Sequence, residues 1–120
     1  MTVTLYHKPN CQTSLSVLKL LRANGVEPDI VLYLEKPPTR AKLTSLLNKM
    51  KMTPRDFIRR KEPLFAELGL NDPAVGDDQL IDAMLANPIL IDRPIVEIGR
   101  RAKLCRPAEL AVEMVTRGKA

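Results

Sequence analysis

A small α/β domain is what this sequence predicts, and three features predict it. A short apolar run, Val3 to Leu5, leads through Tyr6-His7-Lys8-Pro9-Asn10-Cys11-Gln12-Thr13-Ser14 into a segment with Leu15, Leu18 and Leu21 at helical spacing. A second apolar run, Ile30-Val31-Leu32-Tyr33-Leu34, then completes strand, helix and strand, a βαβ unit whose strands should be parallel with a right-handed crossover. Near the C-terminus two more apolar runs, Ile89 to Ile91 and Ile95 to Ile98, read as strands before a final helix.

Taken in order, the first helix should stop at Asn24-Gly25, since glycine suits the residue just past a helix. The near-unbroken apolar character of Ile30 to Leu34 predicts a buried strand in a central or parallel position. Pro37-Pro38 breaks the chain. Leu43, Leu46, Leu47 and Met50 then recur at helical spacing from Arg40 to Met50. Thr53-Pro54-Arg55-Asp56 is a helix start, with Thr53 as cap, Pro54 in the first turn and Asp56 placed to close a capping box. Another turn or two should follow Pro63. Asp77 or Asp78 is expected to cap a helix whose apolar face is Leu80, Ile81, Met84 and Leu85. Gly99 to Cys105 is too polar and basic to assign. Arg106-Pro107 should open the last helix, with Pro at its first position and Glu109 in its first turn. The order is βα-β, a helical block, then ββα. The block, at about 39–87, reads as an insertion in a single domain of 120 residues, because its helices are too short to own a core.

Composition narrows the function classes. The chain is 45% hydrophobic, with no apolar run of membrane-spanning length and no secretory-signal pattern at its start. Its two cysteines lie far apart, which fits free thiols in a reducing cytoplasm better than a disulfide framework. The net charge of +5 attracts anions, whether a small oxyanion, an acidic protein surface or a nucleic acid. One histidine and two separated cysteines do not make a zinc site, so no metal or bound cofactor is expected. Gly-rich nucleotide loops and the H-E-x-x-H pattern are absent, and the position a phosphatase loop would give to arginine is Val17.

What remains is one nucleophile and an excess of arginines. Cys11 falls between strand and helix, where unpaired helix N–H groups favour a thiolate and can hold an oxyanion. His7 and Lys8 add positive charge nearby. Ser14 stands where a dithiol motif would carry its second cysteine, so Cys11 can attack but has no neighbouring thiol to resolve it. Guanidinium forks match tetrahedral oxyanions, and Arg93 and Arg106 are each fixed beside a proline. Cys105 reads as a buried cysteine under the last helix, with a resolving thiol as the alternative.

Five ordered segments make the chain resemble the glutaredoxin-linked arsenate reductases, in the wider family that includes the Spx-type regulators. They are Tyr6-His7-Lys8-Pro9-Asn10-Cys11, Leu32-Tyr33-Leu34-Glu35-Lys36-Pro37-Pro38, Asp78-Gln79-Leu80-Ile81-Asp82, Ile89-Leu90-Ile91-Asp92-Arg93-Pro94-Ile95-Val96 and Leu104-Cys105-Arg106-Pro107. The resemblance implies a thioredoxin-like fold, a small mixed β-sheet flanked by helices with an inserted helical region. It implies Cys11 as the attacking thiol and His7 as the residue that lowers its pKa. It implies Arg59, with Arg60 as its alternative, plus Arg93 and Arg106 as oxyanion ligands. Asn10 and Ser14 would complete the surroundings of the thiolate, and Pro94 matches the proline that is cis in such folds. The implied reaction is arsenate reduction in the cytoplasm, with glutathione as co-substrate and glutaredoxin clearing the mixed disulfide; neither nucleic acid nor membrane is an expected partner. The long C-terminal tail of the family is absent here.

Three rivals stand beside this. A Spx-type regulator binding RNA polymerase would not need Cys11 together with three arginines. A glutathione-linked thiol reductase of the same fold would share Cys11 and differ in substrate. A nucleic-acid binder would explain the charge, yet the chain shows neither a recognition helix nor an aromatic stacking platform.

Overall fold

The computed structural model describes residues 2–118. In chain order its elements are β1 (Val3–Tyr6), α1 (Gln12–Ala23), β2 (Asp29–Val31), α2 (Arg40–Met50), α3 (Pro54–Phe57), α4 (Pro63–Glu67), α5 (Asp77–Ala86), a 3-10 turn (Pro88–Leu90), β3 (Ile95–Ile98), β4 (Arg101–Leu104) and α6 (Leu110–Gly118). They fall into two units, Met1–Lys36 with Arg93–Ala120, and Pro37–Asp92. The helical segment expected at about 39–87 lies within the second.

The first unit holds one mixed sheet in the order β2-β1-β3-β4. β2 runs parallel to β1, as the βαβ reading requires, while β3 is antiparallel to both β1 and β4. Side chains alternate across a strand, so Leu5 of β1 and Val96 of β3 share one face. There they meet Val17 and Leu21 of α1 and Ala111 and Met114 of α6 in a single apolar cluster. Truncating such a residue, Leu21→Ala for instance, costs about 2–5 kcal/mol. This mixed sheet with flanking helices is the thioredoxin-like arrangement.

Three strand expectations change. The run Ile30 to Leu34 is extended only as far as Val31, and Leu32 O then accepts from the N–H groups of Glu35 and Lys36 in a turn. β2 takes the parallel position as expected but lies at the sheet edge and is not buried, with Ile30 39% exposed. The reason is that β3 takes the other side of β1. Ile89 to Ile91 is not a strand: Pro88–Leu90 coils as a 3-10 turn whose Leu90 and Ile91 are buried. The unassigned stretch after Gly99 supplies the fourth strand. Its basic residues are tolerated because β4 is an edge, where charge discourages further pairing. Gly99, at φ 58, opens the two-residue turn that joins the pair Ile98↔Arg101, a backbone region that favours glycine. The last helix begins at Leu110, so Pro107 precedes it and does not occupy its first position.

In the second unit, Thr39 and Thr53 cap α2 and α3 by accepting from Lys42 N and Asp56 N at 3.1 and 3.2 Å. The cap of α5 is Gly76, not Asp77 or Asp78, which lie in its first turn. Gln79 Oε1 accepts from the Gly76 N–H at 2.8 Å and fixes that start. Arg55 donates to the carbonyls of Leu70, Asp72 and Val75, tying down the loop before α5.

Candidate active site

The loop between β1 and α1 carries the thiol. Cys11 is the N-cap residue of α1, with extended backbone at φ −103 and ψ 121. Its N–H donates to Lys8 O at 3.0 Å and its carbonyl accepts from Leu15 N at 2.9 Å, so the loop turns once and enters the helix. The side chain closes no capping hydrogen bond, unlike the threonines above. The sulfur therefore sits at the N-terminal end of α1.

Burial opposes charge on this sulfur. The Ser14 N–H and the guanidinium groups of Arg93 and Arg106, donating toward it, outweigh that effect and hold the Cys11 thiol below its ordinary value. Arg93 is buried, whereas Arg106 is exposed. The two are stitched together: Arg106 Nη1 donates to Arg93 O at 2.7 Å, and Cys105 N donates to Pro94 O at 2.9 Å. One arm of the Arg106 fork is therefore spent on positioning, and the rest remains for an anion. The Arg93–Pro94 peptide is cis, and so is Arg106–Pro107, which the sequence had not suggested.

His7 and Ser14 lie buried beside the loop, with Nδ1 of His7 2.6 Å from Ser14 Oγ. Burial, and then the charge of Arg22, push the His7 pKa below its ordinary value. Asn10 is exposed at the turn and makes no side-chain hydrogen bond among the described residues. Cys105 has the opposite setting to Cys11: it is wholly buried in the apolar cluster, and burial pushes its thiol up to about 12.

Cys11, His7, Ser14, Arg93, Pro94 and Arg106 all belong to the first unit, whereas Arg59 and Arg60 belong to the second. There Arg59 is fixed by its own unit, with Nε 3.3 Å from Glu62 Oε1 and Nη1 2.9 Å from Asp92 Oδ1. Arg60 is exposed and donates to Arg55 O at 2.7 Å.

One buried polar pair escaped the sequence reading. Tyr6 O–H donates to Glu97 Oε1 at 2.9 Å, between strands β1 and β3. Burial and the neighbouring carboxylate push the phenol well above its ordinary value. The available signal was a lone carboxylate inside the apolar run Ile95-Val96-Glu97-Ile98. Among the described residues no group of acidic, histidine or cysteine side chains could hold a metal ion, and no helix is long and apolar enough to cross a membrane.

Comparison with known proteins places this geometry. The profile of the ArsC family matches residues 6–114. An arsenate reductase of Rhizobium meliloti (strain 1021) is 47% identical over 115 residues, covering 96% of this chain and 82% of its own. The protein YfgD of Escherichia coli (strain K12), described as uncharacterized, is 45% identical, covering 94% of this chain and 96% of its own. Among solved structures, an arsenate reductase from Vibrio cholerae is 38% identical and superposes with a TM-score of 0.91, covering 94% of this chain and 97% of that one.

Proposed function

This chain belongs to the ArsC family, and from that premise we propose that it is an arsenate reductase whose attacking atom is the Cys11 sulfur. The observation that carries the reading is the single activated thiol at the start of α1, faced by the Ser14 N–H and by Arg93 and Arg106. A tetrahedral oxyanion is the ligand such donors suit.

In the proposed reaction the Cys11 thiolate attacks arsenic, an arsenic–oxygen bond breaks, and the oxygen leaves as hydroxide or water. Arg93 and Arg106 stabilise the charge redistributed over the remaining oxygens. A glutathione thiol then joins the Cys11 sulfur as a disulfide. The electron pair of the sulfur–arsenic bond passes to arsenic, which leaves as arsenite. Cys105 is buried with its thiol held protonated, which supports an external thiol in this step. Glutaredoxin clears the mixed disulfide and restores the thiolate. These steps need reduced glutathione, which supports a cytoplasmic location.

Arg59 is proposed as the third oxyanion ligand on the resemblance, and its two ion pairs favour it over the exposed Arg60 as a fixed donor. Asn10 is proposed as a supporting residue on the same ground, and Pro94 as the residue that shapes the turn beside Arg93. The helical segment at about 39–87 is read as an insertion within one thioredoxin-like domain. The test is an arsenate-dependent, glutathione- and glutaredoxin-coupled turnover assay. Arsenite formation that vanishes in Cys11→Ser is expected. Reduction of a glutathionylated peptide without any arsenate turnover would replace the reading by the thiol-reductase one.

A further inference from the structure

The histidine of an activated cysteine site is commonly the cation that draws the thiolate out. Here the hydrogen bonds around Ser14 assign it a different part. Ser14 is wholly buried, and its hydroxyl has two partners among the described residues, the Lys8 N–H at 3.2 Å and His7 Nδ1 at 2.6 Å. A serine hydroxyl carries one donor and two acceptor positions. The Lys8 N–H must donate, so it occupies one acceptor. Were His7 an imidazolium, or neutral with its proton on Nδ1, it too would donate, and the buried Ser14 O–H would point at nothing. With the proton on Nε2, the Ser14 O–H donates to Nδ1, and the Lys8 N–H, the Ser14 hydroxyl and Nδ1 are all paired.

We propose that His7 serves Cys11 as a neutral positioning residue, its unprotonated Nδ1 accepting from Ser14 O–H and so tying together the two ends of the loop that presents the sulfur. The tie runs from the Lys8 N–H through the Ser14 hydroxyl to His7, spanning the loop that holds Cys11. It holds Ser14 so that its backbone N–H faces the sulfur. The charge that favours the thiolate then comes from Arg93 and Arg106, which face Cys11. Burial, and then the positive charge of Arg22, oppose a second positive charge on His7. The inference deepens the proposed role of the Cys11 site, but its test requires no arsenate. Failure of the arsenate reading would leave it standing, and its own failure would leave arsenate turnover untouched.

The chain has one histidine, so its imidazole signals are unambiguous. Nitrogen-15 spectra of the full chain should show Nδ1 unprotonated and hydrogen-bonded at neutral pH, with the ring charging only below the ordinary histidine range. A protonated Nδ1 at neutral pH overturns the proposal. A second arm measures the rate at which iodoacetamide, a neutral reagent, alkylates Cys11, with thermal melting as a check on folding. His7→Ala and Ser14→Ala should each slow it by about fivefold, and the double variant no further, as expected for residues that act as a unit. His7→Asn offers an uncharged acceptor near the place of Nδ1 and should recover most of the rate lost in His7→Ala. If His7→Asn were as slow as His7→Ala while melting like the parent, the imidazolium charge would be the working element and the proposal would fall.

Discussion

The two cysteines of this protein share a chemistry and differ in everything around it. Cys11 caps a helix, its sulfur turned toward an N–H group and two guanidiniums. Cys105 lies under α6 in the apolar cluster, its sulfur in weak contact with Lys103 O at 3.6 Å. Both pay a desolvation penalty for charging, yet only Cys11 has donors that outweigh it, and the two thiols are driven in opposite directions. Burial alone therefore does not silence a thiol; burial that the neighbouring donors and charges fail to outweigh does.

The largest effect should come from removing each sulfur in turn. Cys11→Ser is expected to abolish arsenate turnover, whereas Cys105→Ala should keep most of it. Complete inactivity of a folded Cys105→Ala protein would make Cys105 a partner in the reaction and end the contrast.

Alkylation in the native state sharpens the same contrast with no substrate present. With its thiol pushed up to about 12 against an ordinary 9.0, Cys105 should hold about a thousandfold less thiolate than a free cysteine at neutral pH. Cys11 should hold more than a free cysteine. Mass spectrometry after brief iodoacetamide treatment at neutral pH should find the label on Cys11 alone. Comparable labelling of both sites would show that the core opens or that the donors around Cys11 are misassigned.

Next come the donors themselves. Arg93→Lys and Arg106→Lys retain charge but lose the fork, and Arg106→Lys also loses the bond to Arg93 O. Each should lower kcat/KM for arsenate by about tenfold and raise the pH midpoint of Cys11 thiolate absorbance. Unchanged values in both variants would remove the guanidiniums from the site.

The smallest effect is on stability in alkali. The Cys105 thiol has its pKa raised in the folded state, so its contribution is fully present below the ordinary value of 9.0 and is lost as pH rises toward about 12. Urea titrations of Cys105→Ala should therefore show a shallower alkaline loss than the parent, set against a cost of about 1–2 kcal/mol at neutral pH for the missing sulfur. An identical alkaline slope would mean that this thiol already ionises freely in the native core.

The start of α3 was legible because it is local: Thr53 sits one residue before the helix and caps it with its own side chain, whereas α5 is capped by Gly76 and α6 begins at Leu110, neither as expected. The strand–turn–helix around Cys11 was legible for the same reason, since alternation gives way to helical spacing within a dozen residues. A short apolar run carries no such period. Ile30 to Leu34 and Ile89 to Ile91 look alike in sequence, yet one starts in an edge strand and the other coils through a 3-10 turn. What separates them is which backbone groups find partners far along the chain. Residue types also pointed to Cys11, Arg93 and Arg106 as candidates, because a reactive cysteine needs cations and an oxyanion needs forks.

Their division of labour was another matter. That Arg106 holds the carbonyl of Arg93, that Cys105 is sealed among aliphatic side chains, and that His7 meets Ser14 across the Cys11 loop are facts of spatial approach. The sequence by itself determined the strand–turn–helix around Cys11, the start of α3 and the inventory of reactive groups. Only the tertiary structure decided which groups meet, and burial then decided their charge, because desolvation and hydrogen bonding depend on neighbours that sequence distance does not reveal.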